Sequence, residues 1–362
     1  SLHIAASLGD AAALADGDTF AKELGQSSNA ELSRAGRLGL CFLSTDRFLT
    51  GVEDDPRTVI EAITSALRET PDRELFDASA FSAQILADTG HPSEAAEAYR
   101  LVGETFIRHK DVELAGQAKT LLAQAQLLDL EAVQQRLVMG EVADLEDLAP
   151  RVRAVLSLPD TPVPTFDVVI RLAEKLEESN HRKLAASVWD EIDTALGQTE
   201  DRSDLAMFPA EVTRARRRLN LVGTTFRPQG TGQDGSAFEA ASLRNHVVLV
   251  VFWQSTSNVC RAELTNLTRL LEQHSDSKFV ALGISLDEDR GQLANFLQSH
   301  PLAWTTLIPG GNAPGIDDPN AVACGVSSVP FLVLLDQDQR VRAYGFRVDE
   351  MVEPLQSLLA KP

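Results

Sequence analysis

The stretch from His246 to Glu263, HVVLVVFWQSTSNVCRAE, constrains the fold of this chain more than any other. Val247 to Phe252 are apolar without a break, the pattern of a strand buried on both faces of a mostly parallel sheet. Polar residues from Gln254 to Asn258 interrupt it. Leu264, Leu267, Leu270 and Leu271 then recur on one face of an amphipathic helix. Cys260 falls in the first turn of that helix, where unpaired backbone N–H groups and the positive end of the dipole favour a thiolate.

The 362 residues are too many for one average domain, so two are expected. A net charge of −20 argues against binding a phosphate backbone or an anionic membrane surface, and fits a solvated acidic surface. Cys41, Cys260 and Cys324 are too few for a disulfide framework. They lack metal-ligand spacing, and the seven histidines are scattered, so neither a metal nor a cofactor is expected. No run approaches the roughly 18 apolar residues that span a bilayer. The first residues, SLHIAASLGDAAALADG, lack the basic region of a signal peptide.

Residues 1–220 read as successive helices, expected near 27–44, 56–69, 73–89, 92–108, 111–128, 144–157, 164–179, 182–197 and 203–218. The three prolines of LSLPDTPVPT, residues 156–165, mark a break. Two segments resemble tetratricopeptide-type helical hairpins. In Leu75–His109 the pattern is carried by Phe76, Phe81, Ile85, Ala95, Ala96 and Tyr99. In Phe166–Gly197 it is carried by Leu172, Ala173, Leu176, Leu184, Ala185, Val188 and Trp189. A regular solenoid and an irregular bundle both remain open. Cys41, among Leu38, Leu40, Phe42 and Leu43, reads as a buried inert thiol.

From about 221 strands and helices alternate. Asp234-Gly235 signals a hairpin turn. After the 247–252 strand and its helix come expected strands at 279–285, 304–308, 331–335 and 341–346, and helices at 293–299, 322–325 and 352–359. Phe252-Trp253, Cys260-Arg261 and Glu263, with the Asp-Gly turn and Ser242-Leu243-Arg244-Asn245-His246 ahead of them, resemble the active-site region of TlpA-type thioredoxin-like proteins. These are the extracytoplasmic relatives of the AhpC/TSA peroxiredoxins. The resemblance covers roughly 221–362. It implies a thioredoxin-like α/β domain over 221–362; with the helical, solenoid-like domain read over 1–220, a multidomain α plus α/β chain is expected.

The resemblance also identifies the site. Its first, attacking cysteine corresponds here to Ser257, and its second, resolving cysteine to Cys260. Val251 stands where the family commonly has a buried Asp or Asn, and Thr265 where it has proline. Trp253 corresponds to the tryptophan that flanks the site. Val329-Pro330 corresponds to the cis-proline loop, which implies that Pro330 lies beside Cys260 and pairs with an extended substrate segment. Glu263 reads either as a proton relay or, preferably, as a residue favourable to the helix dipole. Asp287, Glu288 and Asp289 read as a solvated loop that can cap the next helix.

Three functions stay open. In the first, Cys260 is a redox-active monothiol, for disulfide exchange or reduction, with the Ser257 hydroxyl hydrogen-bonded to its sulfur. Ser-x-x-Cys also resembles the peroxidatic motif of peroxiredoxins, although Trp253 replaces that family's proline and no arginine partner is evident. In the second, the domain is redox-inactive and binds protein segments. In the third, Cys324 serves as an alternative partner for Cys260, against which an inert thiol is the better reading. The implied partners are protein thiols or disulfides, or an extended segment at the Pro330 loop, with a further protein partner on the helical domain. The implied location is the periplasm or cell envelope.

Overall fold

The structure, a computed structural model, describes residues 11–141, 145–158, 161–199, 202–233, 235–275, 278–308 and 315–360. Asp234 of the expected turn, Asp144 at an expected helix start, Pro159 of the proline-rich break and the first ten residues lie outside these. The chain divides into two compact units, Ser1–Ser179 and Asn180–Pro362.

The N-terminal unit is helical: α1 (Ala11–Gly25), α2 (Ala30–Leu49), α3 (Arg57–Ala66), α4 (Arg73–Asp88), α5 (Pro92–Phe106), α6 (Val112–Val138), α7 (Leu148–Leu156) and α8 (Val163–Glu178). Local chemistry sets several starts. Asn29, Asp72 and Asp111 each accept a hydrogen bond from a first-turn N–H, so α2, α4 and α6 begin one residue later. Helix α1 has no counterpart among the expected helices. Two helices outrun their expected ends. Helix α6 continues past 128 because Leu130, Val133 and Leu137 remain buried on one face, and no breaker occurs before Gly140 at φ +79°. Helix α2 likewise runs on to Gly51 at φ +70°, with Thr45 donating back to the Cys41 carbonyl.

Helices α4 and α5 form the first expected hairpin, turning at Thr89–His91. Phe76 and Phe106 meet edge to face at 5.1 Å, and Ala95, Ala96 and Ala98 are fully buried. Phe81 departs from the pattern and is 48% exposed. The second expected hairpin does not fall within one unit: α8 belongs to the first and the helix that follows to the second.

The C-terminal unit opens with α9 (Arg182–Gly197) and α10 (Phe208–Leu219). It continues with β1 (Thr231–Gly232), β2 (Val247–Trp253), α11 (Asn258–Gln273), β3 (Phe279–Ser285), α12 (Arg290–Ser299), β4 (Thr305–Ile308), α13 (Pro319–Cys324), β5 (Phe331–Leu335), β6 (Val341–Gly345) and α14 (Val352–Leu359). Among the described residues the sheet order is β1-β4-β3-β2-β5-β6. Strand β2 is central, parallel to β3 and antiparallel to β5, while β6 returns antiparallel along β5. That is a thioredoxin-like arrangement, as the strand–helix alternation implied.

All seven residues of β2 are buried, and successive ones enter opposite cores. Val248, Val250 and Phe252 pack with Ile284, Phe331 and Cys324. Val247, Leu249, Val251 and Trp253 pack with Cys260, Leu267, Leu293 and Trp304. Each such aliphatic side chain contributes about 1.5–3 kcal/mol, which makes β2 the axis of the domain.

Helices α9 and α10, read from the sequence as the end of the helical region, pack in the same compact unit as the sheet. Arg182 of α9 lies 4.1 Å above the Tyr344 ring and donates to the Tyr344 carbonyl. On α10, Arg217 donates to the Val322 carbonyl at 3.1 Å. The buried Arg218 donates to the Gly325 carbonyl at 2.7 Å and to Ser327 Oγ at 3.0 Å. Gly325, at φ +69°, ends α13 so close to α10 that a Cβ there would lie 2.2 Å from the Arg214 carbonyl oxygen.

Candidate functional site

The site is built where β2 ends and α11 begins. Ser257 is the N-cap of α11, and its Oγ accepts the Cys260 N–H at 3.2 Å, so Cys260 is the third helical residue. The cap accounts for a serine here independently of redox chemistry. Trp253 closes β2, fully buried, with its ring 5.5 Å from that of Phe296 on α12. The Val329–Pro330 bond is cis. Phe331 pairs with Phe252, so the register carries Pro330 to the end of β2, and Val329 packs on the core that contains Cys260. The five residues Trp253, Ser257, Cys260, Glu263 and Pro330 thus gather around one end of β2 and the start of α11.

Cys260 is 0% exposed. Burial raises its thiol above the ordinary value, and the Asp287 and Glu263 carboxylates push the same way. Hydrogen bonding from the Ser257 side chain and the Gln254 backbone opposes them. The helix N-terminus was expected to favour a thiolate, but burial outweighs it. The two charges that raise the Cys260 thiol, on Asp287 and Glu263, are both negative. Arg261 is exposed and donates to Asn258 Oδ1.

Glu263 is the sixth residue of α11, beyond the reach of the dipole's first turn. Buried, it accepts from the Val348 N–H at 2.6 Å and from Asn266 Nδ2 at 3.1 Å, and so ties α11 to the segment after β6.

The acidic loop after β3 departs from the solvated reading in part. Asp289 caps α12, accepting from Gly291 and Gln292. Asp287 is buried instead. Its carboxylate accepts from the Ser255 N–H at 2.9 and 3.0 Å, from Ser255 Oγ at 2.6 Å and from Ser285 Oγ at 2.8 Å. It clamps the loop that leads to Ser257. The sequence reading missed this role; a carboxylate two residues after a serine that ends a buried strand was the available signal.

The three cysteines are free and buried. Cys324 belongs to the core on the opposite face of the sheet from Cys260, so the central strands separate the two thiols. Cys324 is thereby removed as an exchange partner, for which Cα atoms within about 7 Å are needed. Burial raises the Cys324 thiol strongly, and raises that of Cys41 to about 11 against a hydrogen bond from Ser82.

A raised folded-state thiol holds its proton to higher pH than the unfolded chain does. Its contribution to stability is therefore complete below about pH 8.5 and is lost as pH rises through the folded value. For Cys41 the loss between pH 7 and pH 10 is expected to be about 1.5–2 kcal/mol. Urea unfolding of wild type and Cys41→Ala, followed by far-UV circular dichroism at both pH values, measures it. An equal alkaline loss in the variant would remove Cys41 as the cause.

No helix among the described residues is long and apolar enough to cross a membrane. Residues 224–359 match the AhpC/TSA family. No curated protein matches the chain significantly. Among solved structures, the thioredoxin domain of a thiol-disulfide oxidoreductase from Bacteroides vulgatus is 20% identical, with a TM-score of 0.33, over 38% of this chain and 97% of that one. A thiol-disulfide oxidoreductase from Bacteroides fragilis is 23% identical, with a TM-score of 0.34, over 38% and 99%. A thiol-disulfide isomerase from Corynebacterium glutamicum is 16% identical, with a TM-score of 0.35, over 39% and 98%.

Proposed function

We propose that the C-terminal unit, which carries an AhpC/TSA family domain over residues 224–359, is a thiol-redox module working through one gated cysteine, Cys260. The observation that carries this reading is the place of Cys260, under the Ser257 cap and in one core with Trp253 and Val329. At rest the thiol is protonated and enclosed. Movement of the residues that cover the first turn of α11 relieves the burial that holds the proton, and the intact cap hydroxyl and first-turn amides then favour the thiolate.

The thiolate attacks a substrate disulfide. A bond forms between Cys260 and one substrate sulfur, the substrate disulfide breaks, and its other sulfur leaves as thiolate. An external thiol, protein or small, attacks the mixed disulfide and departs joined to the substrate sulfur, returning Cys260. Substrates of this reading are protein thiols or disulfides in extended segments lying along the exposed Ser328 and half-buried Val329. The extracytoplasmic location implied by the resemblance accompanies it, and fractionation of the source cells tests that. On this reading the thioredoxin-like domain is 221–362, with α9 and α10 as its helical brace and the preceding helices as a separate surface for a protein partner.

The complete burial of Cys260 favours a second reading, a redox-inactive module that binds protein segments. Alkylation of the native protein, mapped by peptide mass with Cys260→Ser as control, separates the two. Gated chemistry predicts labelling of Cys260 at least about tenfold slower than a free thiol, with an apparent pKa above about 8.5. It also predicts labelling faster than global unfolding. If Cys260, Cys41 and Cys324 label together at the unfolding rate, the redox reading falls and the binding module stands.

A further inference from the structure

Three polar atoms lie buried near α12 with no hydrogen-bond partner among the described residues: Trp253 Nε1, Trp304 Nε1 and Thr306 Oγ1. Their residues are 0%, 7% and 0% exposed. The atoms converge on one place. A Cβ built on Gly283 would sit 3.1 Å from Trp253 Nε1, 3.3 Å from Trp304 Nε1 and 2.9 Å from Thr306 Oγ1. The register explains the meeting. Gly283 pairs with Val251 on β2 and with Thr306 on β4, so Trp253 and Trp304 each stand two residues from a partner of Gly283, on the same face. The missing side chain of Gly283 is what lets these three groups come together, because a Cβ there would crowd all of them.

We propose that the two indoles and the threonine hydroxyl bind a single internal water molecule above Gly283. The donor set selects it. An indole N–H can only donate, so the occupant must accept twice, and the threonine hydroxyl can accept a hydrogen bond from it in return. Three hydrogen bonds is the usual complement of a buried water, and a buried polar group left without a partner costs about 1–3 kcal/mol. The occupant is neutral. An anion here would be a buried charge without a counter-ion, on the side of the sheet where the Asp287 and Glu263 carboxylates already act on Cys260. The proposal stands whether or not Cys260 is redox-active.

Nuclear magnetic resonance of the full chain with 15N-labelled tryptophan tests it through three indole signals, from Trp189, Trp253 and Trp304, assigned with single Trp→Phe variants. The Trp253 and Trp304 indole protons are expected to cross-relax with water with the sign of a long-lived bound molecule. Thr306→Val is expected to weaken both cross-peaks, and Gly283→Ala to abolish them by forcing the three polar groups apart. The proposal is overturned if neither indole contacts water in the wild type, or if both contacts persist unchanged in folded Gly283→Ala. It is also overturned by a crystal structure in which the two indoles donate to protein acceptors.

Discussion

Asp287→Ala is expected to destabilise the C-terminal unit by about 3 kcal/mol, since hydrogen bonds to a charged acceptor contribute about 1.5–3 kcal/mol each and buried donors left unpaired cost a similar amount. The substitution strands the Ser255 N–H, the Ser255 hydroxyl and the Ser285 hydroxyl together, with Ser255 and Ser285 both buried. The sum is reduced because the carboxylate itself is costly to bury. Asp287→Asn keeps an acceptor and the shape but turns an amide donor toward donors, so about 1–2 kcal/mol is expected.

The asparagine variant also removes one negative charge that acts on Cys260, so its thiol should titrate at lower pH than in the wild type. The brace and the charge are thus separable. Both tryptophans of the sheet domain, and Trp189 on α9, lie in the C-terminal unit, so urea unfolding followed by fluorescence reports on that unit. A loss below about 1 kcal/mol for the alanine variant would mean that Asp287 does not hold the loop.

Arg218→Met should cost about 3 kcal/mol by the same measurement, because the guanidinium is buried and bonded at both of its described acceptors. Methionine retains the aliphatic stem, so the loss isolates the polar contacts. The consequence is local as well as global. Gly325 and Ser327 lie directly ahead of Pro330, and amides from about 322 to 330 should lose protection from hydrogen exchange. Arg214 on the same helix makes the useful contrast. Its partner Asp317 is 69% exposed, and an exposed pair of that kind is worth about 0–1 kcal/mol. If Arg214→Met and Arg218→Met cost the same, the buried arginine is not what attaches α10 to the Pro330 side of the domain.

Much of the C-terminal fold was legible because its signals are local. The unbroken apolar run of β2, the period-3.6 leucines of α11 and the apolar runs at 279–285 and 331–335 each name their element without reference to the rest. The candidate site was named through resemblance, which pointed to Trp253, Ser257, Cys260 and Pro330 along the chain. Helix ends were less so. The extra length of α2 and α6 depends on burial against neighbours, which outweighs weak local stops.

The sequence by itself determined the elements, their order and the chemistry available: one thiol at a helix start, a serine three residues before it and no metal-ligand spacing. Only the tertiary structure decided what that chemistry does at rest. Burial keeps the Cys260 thiol protonated, Asp287 turns inward, Glu263 anchors the backbone at Val348, and Arg218 holds the approach to Pro330. The physical reason is the range of the interactions. Strand and helix periodicity are written within a few residues, whereas these contacts join positions 32, 85 and 107 residues apart. Whether a carboxylate or guanidinium is solvated or buried depends on the partner that arrives from there.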